Sequence, residues 1–334
     1  MVERFSIERE KSAIWPTELI TLRDQQAGSW LGLLPGSGCN LVAFGARVAD
    51  RDVETMLQPT DETPAQAPDR YGAPVLFPFP NRLRGGQAHF GGRSIQIDRA
   101  PGQANAIHGL VRNLPWQIEY LGRDANEVAI RCVVDLTDPE LLRQFPFPAK
   151  LSLTFRLAGP TLRIDLAAHN VGNASLPMGF GWHPFFRLPL IPGSDRRDDV
   201  VAIPSRHLWQ LDTELLPTGT VQPAPPERDF ARPTPLGAVN LDDVYTEVEQ
   251  INGTSTCVLT DPVSKISLKV AAGQSFREWV VYAPPNRPTI CFEPYTCPTD
   301  AFNLTARGLD VGLIVLPPGA EWRDWISLEL SGPH

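Results

Sequence analysis

Thirty-four prolines and 26 glycines are spread along the 334 residues, and they break the chain too often for any extended helix. What lies between them is a succession of short, alternating runs rich in β-branched and aromatic residues. Residues 128–134, 151–157, 161–166, 265–270, 277–282 and 311–316 suit strands. No window sustains a helical period, so no helices are available to cross between parallel strands. The pattern predicts an all-β protein, a sandwich or barrel with turns between closely spaced strands.

A chain of this length allows two domains, but large β-sandwiches are often one continuous body. Hydrophobic residues make up 42% of the sequence, enough to fill a large core. The proline-rich stretches 58–71 and 217–235 are neither long nor uniform enough to be interdomain linkers, and they read as loop insertions. No internal repeat is present. Residues 1–334 are therefore expected to form a single domain.

Acidic residues outnumber basic ones, 38 to 30, and the isoelectric point is near 5.3. The chain lacks the basic footprint of a nucleic-acid or anionic-membrane binder, which leaves a small neutral or weakly polar molecule as the expected partner. Residues 1–12 mix charges without an apolar core of signal-peptide length, and no apolar stretch is long enough to span a bilayer. Cys39, Cys132, Cys257, Cys291 and Cys297 are odd in number, with no CxxC and no metal-ligand spacing. These features predict reduced thiols, no bound metal and a cytoplasmic setting. Cys291 and Cys297 flank Glu293 but read as small buried hydrophobes.

Four segments carry the chemistry: Asn81-Arg82-Leu83-Arg84-Gly85-Gly86, Ile107-His108-Gly109-Leu110, Gly181-Trp182-His183-Pro184-Phe185-Phe186 and Phe292-Glu293-Pro294-Tyr295-Thr296. Each sets a polar, titratable or cationic side chain among aromatics, prolines and glycines, the make-up of a pocket that stacks on a sugar ring and orients its hydroxyls. Glu293 follows the apolar run 290–292, and Pro294 is expected to end that strand. Desolvation by Phe292 and Tyr295 would raise its pKa toward a useful general base; the alternative is an edge carboxylate paired with an arginine.

His183, between Trp182 and Pro184-Phe185-Phe186, suits a proton donor near pH 7, or else a satisfied core histidine. His108 has the same two readings, with Gly109 allowing close approach of a ligand. His89, His169 and His207 have no comparable company, and His334 is terminal. One of Arg82 and Arg84, which follow Phe77-Pro78-Phe79-Pro80, could lie against an aromatic wall and aim into the pocket, and a salt bridge is the preferred reading for Arg84. In Leu241-Asp242-Asp243-Val244-Tyr245, strand alternation turns one aspartate inward and the other out.

Taken in order, these segments resemble the aldose 1-epimerase family, the galactose mutarotase-like proteins. That family shares an N-R-[IL]-x-G segment, an HG segment, an HP-aromatic-F segment, a D-x-x-[FY] segment and a C-terminal E-P-x-T segment. The likeness runs from about residue 19 to 330, and residues 215–219 are similar to the family's L-x-P-T-G turn. The resemblance implies one large antiparallel β-sandwich, the supersandwich, with a sugar in a cleft on its concave face. It implies Glu293 as general base and His183 as general acid, with Arg82, His108 and Asp242 as substrate contacts and no cofactor. Trp182 before the histidine, and Phe185 in place of the family's tyrosine, depart from the pattern and point to a reshaped pocket. Trp182, Phe185 and Trp279 are candidates to stack on a pyranose, with most of them expected to serve simply as core.

The activity so implied is the interconversion of α and β anomers of a free aldose. A hexose-6-phosphate 1-epimerase would need a cationic cluster, for which Arg84, Arg112 and Arg187 are candidates. A non-catalytic sugar-binding or sensor protein would need the ring contacts without the acid–base pair. A glycoside hydrolase would need two carboxylates flanking the bond. The expected partner is a small-molecule sugar, with the protein a monomer or homodimer.

Overall fold

The computed structural model describes residues 3–12, 14–59 and 70–333. Three antiparallel sheets dominate them. The first is a meander of Phe5–Lys11, Glu18–Asp24, Ser29–Leu34, Asn40–Val48 and Arg51–Glu54, paired in sequence order. The second has nine strands and is built around Val128–Leu136, Ala149–Ala158, Thr161–Asn170, Glu321–Ser331, Ser267–Ala272 and Ser255–Thr260. The third has eight strands, with Leu241–Thr246, Glu278–Ala283 and Thr289–Tyr295 at its centre.

Alternation explains why the sheets stack. Ile130, Phe155, Ile164 and Leu328 of the nine-stranded sheet, Leu31, Leu33 and Phe44 of the meander, and Trp279, Val281, Ile290 and Phe292 of the eight-stranded sheet all enter one continuous buried cluster. Trp279 ties the layers further by donating from Nε1 to Ser255 Oγ at 3.0 Å. Among the described residues α-helix is confined to Pro139–Gln144 and Ala301–Ala306. The all-β sandwich expected from the sequence is what forms.

Five of the six predicted strand segments are strands. The sixth keeps only Ile314–Leu316, because Gly312 takes a left-handed φ of 74° that an extended run cannot pass through. The stretch 217–235 is only partly a loop. Pro217–Pro223 is a strand at the sheet edge, with its prolines at the two ends, where an absent amide donor costs little. Of the other predicted loop, 60–69 lie outside the described residues.

Candidate active site

The site is built on the face of the eight-stranded sheet turned away from the shared core. In Thr289–Tyr295 the even-numbered Ile290 and Phe292 point into that core, so Cys291, Glu293 and Tyr295 share the opposite face. Cross-strand register brings their neighbours. Cys291 stands opposite Tyr282 on one side and Phe185 on the other, and Tyr282 in turn stands opposite Asp242. Glu293 is the next residue along this face and lies opposite Val280. Alternation also settles the two aspartates. Asp243 is buried and ion-paired with Arg228, while Asp242 turns to the site face with its side chain reachable by solvent.

His183 is delivered by a break in the ladder. The chain pairs with Thr289–Tyr295 at Gly181 and again at Phe185, and between them His183 and Pro184 turn out of the sheet. The amide of His183 donates to Pro74 O and that of Phe185 to Gly72 O, which fixes both ends of the turn. The imidazole stacks on Phe185, with centroids 4.5 Å apart and planes 19° from parallel, and its Nε2 lies 3.4 Å from Glu293 Oε1. On the other carboxylate oxygen, Tyr295 donates its hydroxyl to Oε2 at 2.5 Å.

Arg82 and His108 arrive together on a two-residue ribbon in which Ile107 pairs with Arg82 and Ala106 with Leu83. Asn81, His108 and Gly109 all take left-handed φ values there. At Gly109 a side chain is excluded as well, because a Cβ would lie 2.3 Å from Phe77 O. The ribbon is anchored from below by Asp300, whose amide donates to Arg82 O and whose Oδ1 accepts from the Arg84 amide. His108 meets His183 edge to face at 5.2 Å.

Burial decides the charge state of the pair. It pushes the Glu293 carboxyl well above the ordinary range, against the Tyr295 hydrogen bond and the positive charge of Arg82. It pulls His183 down to about 3, and the charges of Arg112 and Arg287 act in the same direction. His108 is lowered by the same cause, with the charges of His183, Arg112 and Arg82 adding to it. Asp242 is raised by its surroundings and held back by Arg82. Burial thus favours the uncharged pair, a neutral imidazole beside a protonated carboxyl group, over the ion pair.

The five residues expected at the site, Arg82, His108, His183, Asp242 and Glu293, are neighbours through contact or mutual electrostatic influence. Several details of the sequence reading are corrected. Glu293 does not sit at a strand exit, since pairing continues through Pro294 to Tyr295; on the side of residues 181–187 the ladder is interrupted across this stretch, which accommodates a residue without an amide donor. Phe292 does not desolvate Glu293, because it faces the core. Trp182 and Trp279 are core residues, 1% and 0% exposed, and offer no ring to a sugar. Phe185 is the aromatic that flanks the imidazole.

The expected cations separate. Arg84 is engaged by Asp212 at 2.7 Å and Glu214 at 3.4 Å, as its salt-bridge reading predicts. Arg187 lies near the half-buried Glu54, whose carboxyl desolvation raises to about 7 against hydrogen bonds and the charge of Arg187. Arg112 lies near both imidazoles. Three further neighbours of the pair are Tyr295, which the sequence marks beside Glu293, and Cys291 and Arg287, which it does not mark as functional. Two-residue spacing from Glu293 signals the first two. Arg287 is reached only through the fold, with its guanidinium 5.1 Å from the Phe185 ring.

Comparison with known proteins bears on the fold and the family. The chain is 23% identical over 276 residues to the Escherichia coli (strain K12) protein YihR, itself uncharacterized, covering 82% of this chain and 84% of that one. It is 28% identical over 190 residues to YphB of the same organism, also uncharacterized, covering 56% and 58%. Among solved structures it superimposes on a galactose mutarotase-like protein from Clostridium acetobutylicum with a TM-score of 0.87 at 21% identity, covering 99% of each chain. Galactose 1-epimerase from Lactobacillus acidophilus NCFM gives 0.77 at 19% identity, again over 99% of both. The structures share the fold. A family profile, aldose 1-epimerase, matches residues 21–329, and the chain belongs to the aldose 1-epimerase family.

Proposed function

We propose that the protein interconverts the α and β anomers of a free aldose, with Glu293 and His183 as the acid–base pair and Arg82, His108 and Asp242 as contacts to the sugar. The observation that carries this reading is the 3.4 Å approach of His183 Nε2 to Glu293 Oε1, with Arg82, His108 and Asp242 close enough to act on the pair electrostatically.

Anomer exchange requires a proton to leave the anomeric hydroxyl while another reaches the ring oxygen and the bond between the anomeric carbon and that oxygen breaks. The open aldehyde then turns about its first carbon–carbon bond and closes on the other face. A pair holding one proton suffices. Glu293 as carboxylate takes the hydroxyl proton while His183 as imidazolium protonates the ring oxygen, which leaves a carboxylic acid and a neutral imidazole. Burial favours this second state. Reclosure returns both protons, so each cycle restores the pair without a step through a metal or cofactor. Arg82, with Nη1 held by Asn81 Oδ1 at 2.9 Å, and Asp242 supply a donor and an acceptor for ring hydroxyls.

One observation favours a second substrate class. Arg112 and Arg287 both bring positive charge toward His183, which suits an aldose bearing an acidic substituent. The test is NMR exchange spectroscopy on neutral aldoses, uronic acids and hexose 6-phosphates. Faster exchange of any of them with the native protein, lost in Glu293→Gln, supports the reading. Binding without exchange across the panel replaces it with a sugar-binding protein.

A further inference from the structure

Cys291 is a buried nucleophilic group that the proposed mechanism does not use, and it lies beside the acid–base pair. One ring nitrogen of His183, Sγ of Cys291 and one carboxylate oxygen of Glu293 lie within 4.8 Å of one another. We infer that these three side chains form a binding site for a thiophilic divalent cation, Zn2+, whose occupancy blocks the acid–base pair.

The argument is one of distances and donor chemistry. Zinc takes nitrogen at about 2.0–2.1 Å, carboxylate oxygen at about 2.0–2.2 Å and thiolate sulfur at about 2.3 Å in a tetrahedron, which places a nitrogen and an oxygen ligand roughly 3.4 Å apart and sulfur roughly 3.6 Å from either. His183 Nε2 and Glu293 Oε1 already stand 3.4 Å apart. Only Cys291 must close in, by roughly an ångström, on the same strand face as Glu293.

An imidazole, a thiol and a carboxylate form a donor set that favours zinc over magnesium or calcium, which seek oxygen donors alone. The ligands also come from two positions two residues apart on one strand and from one fixed turn, so little chain ordering is needed to assemble them. His183, the most exposed of the three with 13% of its side chain accessible, marks the approach. On binding, metal–nitrogen, metal–oxygen and metal–sulfur bonds form, and the protons displaced from the thiol and the carboxyl pass to solvent. Both lone pairs that the sugar chemistry uses are then committed to the metal.

The site's existence does not depend on the proposed activity, whereas the inhibition does. The experiment therefore has two arms, both with zinc chloride as probe. Calorimetric titration of the metal-free full chain is expected to give one zinc per chain, with Cys291→Ser and Cys291→Ala each binding at least ten-fold more weakly and magnesium chloride giving no heat of binding. In the exchange assay, zinc is expected to abolish anomer exchange by the native protein and to lose at least ten-fold potency on Cys291→Ser, which keeps its activity in chelator. Native protein that binds no zinc, or variants that bind it as tightly as the native chain, overturns the inference. Intact zinc binding in a protein that exchanges no sugar leaves the site standing and overturns the proposed activity instead.

Discussion

The hydroxyl of Tyr295 donates to Glu293 Oε2 at 2.5 Å, from the same face of the same strand and with both residues buried. The bond opposes the burial that drives Glu293 toward its neutral form, so Tyr295 is a positioning residue for the carboxylate.

Removing that hydroxyl should make the carboxylate form of Glu293 scarcer while leaving the sugar contacts in place. A hydrogen bond to a charged group contributes about 1.5–3 kcal/mol, which converts to roughly ten- to hundred-fold in rate. Tyr295→Phe is therefore expected to lower kcat by that factor with KM little changed, and to move the alkaline limb of the pH profile upward. A variant with native kcat and an altered KM would show that the tyrosine serves packing or binding instead.

The pH dependence follows from the one-proton pair. As pH falls through about 3, His183 takes up a proton while Glu293 still holds its own, and no base remains. As pH rises through the raised value of Glu293, the pair loses its only proton and no acid remains. The plateau of kcat is thus expected to extend below the ordinary histidine range and above the ordinary glutamate range, across neutrality. A narrow bell with limbs near 4.5 and 6.5, the ordinary values of the two groups, would contradict this account of the site.

Glu278 gives a prediction on stability. It is buried on the site face itself, opposite Tyr295, accepts from Trp209 Nε1 at 3.1 Å and Thr246 Oγ1 at 3.1 Å, and has its pKa raised from 4.5 to about 8 by burial. Between those two values the folded chain holds a proton that the unfolded chain releases, so this group's contribution to stability is full below about pH 4.5 and falls as pH rises to about 8. The cost at pH 9 is on the order of a few kcal/mol. Glu278→Gln keeps an acceptor for Trp209 and cannot ionise. Its midpoint of thermal unfolding, relative to the native protein, should rise progressively from pH 5 to pH 9 by several degrees. A difference that does not vary with pH would mean that Glu278 is held by its hydrogen bonds as an anion.

How much of this was legible in the sequence depends on whether period or partnership is at issue. Two-residue alternation along 241–245 separates Asp242 from Asp243, and it places Tyr295 and Cys291 on the face of Glu293. The same rule puts Phe292 in the core, a point that the sequence reading passed over by treating neighbours in sequence as neighbours in space. Which of Trp182, Phe185 and Trp279 is core and which reaches the site is undecided in the sequence for a related reason. Their company is aromatic on either face of a sheet, and only the pairing of Gly181 and Trp182 with Leu76 and Val75, and of Trp279 with Pro294, decides which way each ring points. The row from Asp242 through Tyr282 and Cys291 to Phe185 comes from register between four strands distant in sequence, as does the approach of Arg287 to Phe185. Such contacts are properties of the ladder, which no local motif encodes.

The central claim is that His183 and Glu293 exchange protons with a sugar between them, and the most direct measurement is the anomer-exchange rate of Glu293→Gln and His183→Asn beside the native protein. Each proton-transfer partner contributes roughly 10²–10⁴-fold, so both variants are expected to lose at least two orders of magnitude in kcat while sugar binding stays measurable. Exchange at near-native rates in both variants would contradict the account.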